Sequence, residues 1–199
     1  MLTLMVLPAV IGLIIVARPN VAVSLTSLRG KWLIVLAAAL QFVQAEGWWP
    51  EQVTESIERR VYAVLVVVIA IAFSWLNRSL WSRDTGRWAL LLIPLGTASN
   101  SIPIAALGLM PYSIAGARVA GYSNEQLVTD APGYIRLDDV SPLWTPLADL
   151  IPIPLLMKVL SIGDLFLITG LVLLVVASSR TQTVPNAVDD PVQSVRSST

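Results

Sequence analysis

The residues able to do chemistry in this chain are the few polar side chains set inside apolar runs. The run WALLLIPLGTASNSIPIAALGLM, residues 88–110, carries Thr97, Ser99, Asn100 and Ser101 between Pro94 and Pro103. Each proline removes a backbone donor, freeing the carbonyls of Leu90 and Ser99, so the run is expected to form a kinked or broken helix. Thr97, Asn100 and Ser101 share one face by their i, i+3, i+4 spacing. One reading is a small-solute or ion site on a discontinuous helix. The other is that these groups hold neighbouring helices together by hydrogen bonds. The second weighs more, because no matching polar helix occurs elsewhere in the chain.

A second centre is SIGDL, Ser161 to Leu165. If a helix starts directly after Pro154, Asp164 lies about 14 Å along it, where an acid in lipid is costly and marks a functional site. If the helix starts at Ile162, Ser161-x-x-Asp164 is a capping box at the positive end of the helix dipole, and residues 162–179 still measure about 27 Å. The start signal favours the cap. Lys158 and Ser161 are one turn apart if one helix holds both, the spacing of a serine–lysine dyad; a lysine snorkelling to the interface beside a capping serine is the plainer account. Gln41 and Gln44 form an i, i+3 pair that either faces Asn100 or marks the interface. Asp138 and Asp139 fit a solvated turn as well as a cation site.

The elements that must position these groups follow from hydropathy. The chain has 199 residues, 55% hydrophobic and 13% charged, and a mean hydropathy of +0.73, outside the soluble range. We therefore expect an all-α integral membrane protein. With no His and no Cys, imidazole ligands, disulfides and redox chemistry have no residues to work with, so no metal and no cofactor is expected. Scattered Lys and Arg make nucleic acid an improbable partner.

Five runs suit spans: 2–17, 31–46, 60–77, 88–110 and 156–178. They would form one transmembrane domain, 1–178, with a long external loop at 111–155 and a disordered cytoplasmic tail at 179–199. The first run has no preceding positive charge or clear cleavage site, which argues for a retained helix. The third is expected to begin early, since Pro50 suits a first turn and Val53, Ile57 and Val61 recur on one face. Orientation follows from the positive-inside rule: Arg18, Arg29, Lys31, Arg78, Arg83, Arg87, Arg180 and Arg196 fall inside, and Arg59, Arg60, Arg118, Arg136 and Lys158 outside. The N-terminus is then outside and the C-terminus cytoplasmic. Trp32, Trp75, Trp81 and Trp88 fall at one interface, and Trp48, Trp49 and Trp144 at the other. Six prolines and four aspartates in 111–155 exclude a spanning helix or a long strand, leaving an ordered loop with short helical turns.

Three segments, SNSIPIAALGLMPYS (99–113), LWTPLADLIPIP (143–154) and SIGDLFLITGLVLLV (161–175), together resemble a bacterial multi-pass membrane family described as a domain of unknown function. On that resemblance Asn100, Gly108, Met110, Pro111, Ser113, Asp149, Pro152, Ser161, Gly163 and Asp164 are the family-type positions. Tyr112 and the length of loop 116–142 depart from the pattern, and the N-terminal half matches in hydropathy alone. The resemblance implies a bacterial inner-membrane protein and brings no activity.

Three functions compete. A non-enzymatic accessory or scaffold subunit, meeting a membrane-protein partner through the 111–155 loop, fits the missing catalytic motifs and the short inner loops. A permease would use Thr97, Asn100, Ser101 and Asp164. A membrane-embedded enzyme would have only Asp149, Asp164 and Ser113 to draw on. Oligomeric state is not legible.

Overall fold

The structure, a computed structural model, describes residues 28–30, 32, 33, 36, 55–128 and 133–179. The expected helix at 2–17, most of that at 31–46, Gln41, Gln44 and the tail from residue 180 lie outside the described residues.

The described chain is mostly helical. Helix α1 covers Glu55–Leu76 and so already includes residues ahead of the apolar run at 60–77; Pro50 and Val53, on which the expected early start also rested, lie outside the described residues. It ends at Asn77, a 3-10 turn follows over Arg78–Ser82, and α2 covers Asp84–Leu107. Both α1 and α2 are long and apolar enough to cross a membrane. Helix α2 continues through Pro94 and Pro103 rather than stopping at them. It terminates at Gly108, whose left-handed φ of 79° lets its N–H reach the Ile104 carbonyl at 2.8 Å, the usual glycine helix stop.

The segment after α2 departs from an all-α architecture. Strand β1 (Met110–Tyr112) pairs in parallel with β2 (Tyr134–Arg136), across short helices α3 (Ile114–Val119) and α4 (Asn124–Val128). Strand β3 (Ile151–Ile153) pairs antiparallel with β4 (Lys158–Leu160). Strands of three residues are too short to show a period-2 pattern, so only the pairing reveals them. Pro111 and Pro152 each occupy a strand, which two-stranded sheets tolerate because every strand has a free edge. The helical turns expected here are present as well, including 3-10 turns at Leu137–Asp139, Pro142–Leu147 and Pro154–Leu156.

The expected helix at 156–178 is corrected at its start. Residues 154–156 form a 3-10 turn, Met157 is left-handed, residues 158–160 are strand, and α5 covers Ile162–Ser179. The apolar run is continuous in sequence, but its first residues are taken by the β3–β4 pairing.

The most extensive contact between described elements is α2 against α5, followed by α1 against α2. Gly163 lies beside Asn100, Gly96 beside Gly163 and Leu167, and Gly170 beside Ile93, so α2 and α5 run antiparallel. A Cβ on Gly96 would come within 2.8 Å of the Leu167 nitrogen, so these helices meet backbone to backbone. A buried apolar cluster among the described residues, Leu28, Phe73, Ala89, Leu90 and Leu174, sits at the other end of the helices.

Candidate functional site

Ser161 and Asp164 form the capping box in full. The Asp164 N–H donates to Ser161 Oγ at 3.0 Å, and the Ser161 N–H donates to Asp164 Oδ2 at 2.9 Å. Two otherwise unsatisfied donors of the first turn are thereby used, and the carboxylate stands at the positive end of the helix. Helix α5 starts where this box permits, which decides between the two readings of SIGDL in favour of the cap.

The box is also a tertiary site. Asn100, on α2, donates from Nδ2 to Asp164 Oδ1 at 2.8 Å and accepts the Ser161 hydroxyl on Oδ1 at 2.7 Å. With the two main-chain N–H groups of the capping box, the three side chains form a closed ring, with Ser161 0% and Asp164 5% exposed. The orientation of the carboxamide is dictated: turned over, it would aim its oxygen at a carboxylate. Hydrogen bonds to a charged acceptor contribute about 1.5–3 kcal/mol each, more than neutral ones. Gly163 completes the site, because a Cβ there would collide with Asn100 Oδ1.

The other sequence candidates separate. Thr97 is buried and its hydroxyl folds back onto the Ile93 carbonyl of its own helix at 2.8 Å. Ser101 is buried and, like Thr97, contributes no hydrogen bond to the ring. The serine–lysine dyad does not form: the Ser161 hydroxyl proton is committed to Asn100, while Lys158 Nζ donates to Tyr122 Oη at 3.2 Å and lies 5.9 Å from that ring's centre. Asp138 and Asp139 lie exposed in a 3-10 turn, and no group of three metal-ligating side chains occurs among the described residues.

Around the ring the outer segment is held by main-chain bonds. The Asp149 N–H donates to the Pro111 carbonyl and the Ser113 N–H to the Asp149 carbonyl, both at 2.9 Å, so Asp149 docks on β1 beside Tyr112. The Met110 N–H reaches the Gly133 carbonyl at 2.9 Å, and the Ser113 hydroxyl caps α3 by accepting the Gly116 N–H at 3.1 Å. The Asp149 side chain is 8% exposed. Burial raises its carboxyl well above the ordinary carboxylate range; the Asp164 charge pushes the same way and the Lys158 ammonium opposes it. Burial likewise pushes the Tyr134 phenol up, with Asp149, Asp164 and Tyr122 adding to the effect. Asp149 and Tyr134 therefore share the electrostatic environment of the ring.

Two residues have tertiary roles that the sequence does not show. Asn77, 3% exposed, donates to the Arg29 and Phe73 carbonyls at 2.8 and 2.9 Å and accepts the Arg29 N–H at 3.0 Å. Arg83 donates to the Ala177 carbonyl at 3.0 Å, placing a cation at the C-terminal end of α5 where the helix dipole favours it. Both stand in the stretch between α1 and α2, which by sequence shows only interfacial tryptophans and inside charges.

The three segments that carried the resemblance thus meet in one place, as ring, β1 edge and cap. A family profile covering residues 25–176 matches this chain. The protein belongs to DUF5317, a family of unknown function. No curated protein and no solved structure matches it. Asn100, Ser161, Gly163 and Asp164 all lie within the DUF5317 region, as do α1, α2 and the outer segment.

Proposed function

We propose that this DUF5317 protein is a multi-pass integral membrane protein that works without catalysis, as an accessory or scaffold subunit of a membrane assembly. The observation that carries this reading is the closure of the ring. Its hydroxyl, carboxamide oxygen and both carboxylate oxygens are spent on one another and on the start of α5, so they clamp the outer segment to the helices. A clamp of that kind suits a rigid platform for a partner.

The membrane setting rests on the helix exteriors. Val61, Val64, Leu65, Val68 and Ile71 on α1, and Leu91, Leu95 and Ile102 on α2, are exposed, an outer surface that suits lipid. Trp75, Trp81 and Trp88 are exposed near the turn between α1 and α2, with the Arg78 and Arg87 guanidinium groups 5.2 and 5.9 Å from the Trp75 and Trp88 ring centres, as at a cytoplasmic interface. We place that turn on the cytoplasmic side of a bacterial inner membrane, with five spans, the N-terminus outside and the C-terminus inside. The partner then meets the 111–155 segment on the outer face.

Crosslinking of the full-length protein in its native membrane, followed by purification in mild detergent, should recover a second polypeptide joined through 111–155. Recovery of isolated chains alone rejects the scaffold reading. The permease reading predicts flux in reconstituted vesicles that is lost in both Asn100→Ala and Asp164→Asn; the closed ring offers it less support, because the groups that would bind a solute already bind each other.

A further inference from the structure

The turn between β3 and β4 presents apolar side chains outward in a fixed geometry. Leu155 is 92% exposed, the highest value of any large hydrophobic side chain among the described residues, and Leu156 and Met157 are 41% and 50% exposed. Pro152 and Pro154 restrict the backbone on one side. On the other, Met157 holds a left-handed φ of 48° and its N–H closes the turn onto the Pro154 carbonyl at 3.1 Å.

We propose that this turn, Pro154–Met157, is a lipid anchor that inserts into the outer headgroup layer beside α5. The inference rests on the reading of the helices as membrane spans. Strand β4 leads directly from the turn to the Ser161 cap, a reach of at most about 13 Å from Met157. The apolar surface resumes at once with Ile162 and Leu165, 46% and 39% exposed, so the turn adjoins the surface that α5 would present to lipid. Lys158 and Tyr122, bonded to each other at the base of the turn, are an ammonium and a phenol of the kind that settles at headgroup level. Insertion of such apolar side chains reaches about 5–10 Å into the headgroup and acyl boundary. Three side chains are also far fewer than the roughly 20–30 residues a side of a stable protein interface, which favours lipid over a protein occupant.

The chain has no cysteine, so a Leu155→Cys variant of the full-length protein takes a single environment-sensitive fluorophore. Reconstituted in phosphatidylethanolamine and phosphatidylglycerol vesicles, the label at 155 should emit to the blue, lose intensity to lipids with a shallow acyl nitroxide, and resist iodide added on both sides. Labels on Val68→Cys and Leu95→Cys, exposed on α1 and α2, report on the spans themselves. Quenching at 155 by iodide and not by nitroxide lipid, with 68 or 95 quenched by nitroxide, overturns the anchor and leaves the spans standing. Protection of 155 from both quenchers also overturns it, in favour of a protein partner or a second copy. Failure of nitroxide lipid to reach either control removes the span reading and the anchor with it.

Discussion

Asn100 and Asn77 do comparable work in different parts of the molecule. Asn100 joins α2 to the start of α5 through side-chain partners, one of them a carboxylate. Asn77 joins the end of α1 to Arg29 through main-chain partners only. The surroundings differ as well: α2 and α5 meet backbone to backbone at Gly96 and Gly163, whereas α1 and α2 meet through side chains in the core that holds Phe73 and Leu90. Where helices touch through their backbones, a small change of volume or charge has nowhere to go. Where they touch through larger side chains, neighbours can shift.

That contrast can be broken by experiment, and the largest effect is expected at Gly163. Gly163→Leu would drive its side chain into Asn100 and separate α2 from α5, costing about 3 kcal/mol or more and abolishing a cooperative thermal transition in detergent. Asp164→Ala removes the carboxylate half of the capping box and strands the Asn100 amide and the Ser161 N–H, for about 2–4 kcal/mol of lost stability. The double variant with Asn100→Ala should cost less than the sum of the two single changes by about 1 kcal/mol or more, read from the same melts; strict additivity would mean the ring is not a unit.

Asn77→Ala should cost about 1–3 kcal/mol with no coupling to Asp164→Ala, since the two sites share no partner. A smaller effect, dependent on pH, belongs to Asp149. Its carboxyl titrates higher in the folded protein than in the unfolded chain, whose ordinary value is 3.8, so the folded state binds the proton more tightly. The resulting stability is fully present below that value and is lost as pH rises through the raised one. Melting midpoints should fall over that window in the parent protein, and Asp149→Asn should flatten the slope. Arg83→Ala should be smallest, about 0.3–1 kcal/mol from the lost cation at the end of α5, measured as a slight fall in melting temperature.

Legibility followed contrast with the surroundings. Asn100 stood out because it interrupts an apolar run, and Ser161-x-x-Asp164 because a cap needs that spacing just ahead of one. Asn77 did not, because SWLNRSLWSRDTGRW mixes polar residues with interfacial tryptophans and the burial of Asn77 arises from chain segments far apart in sequence; Arg83 read only as an inside charge, because its acceptor on Ala177 is equally remote. Helical spacing places Thr97 and Ser101 on one face with Asn100, but it does not choose their partners: the Thr97 hydroxyl finds an acceptor within its own helix. Of the kinked or broken helix expected at Pro94 and Pro103, the break is absent and α2 is continuous through both, since the backbone groups a proline frees can be met by neighbours without ending the helix.

By itself the sequence determined the apolar character of α1, α2 and α5 and the cap at Ser161. Each depends on hydropathy or on side-chain-to-backbone bonds within four residues, and such local terms are written in order along the chain. Only the tertiary structure decided that Asn100 closes on the Asp164 cap, that Asp149 docks against β1 within the field of the same carboxylate, and that β3–β4 pairing takes the first turns of an expected helix. Those outcomes depend on which buried polar groups come within hydrogen-bonding distance of one another, a property of the packed chain.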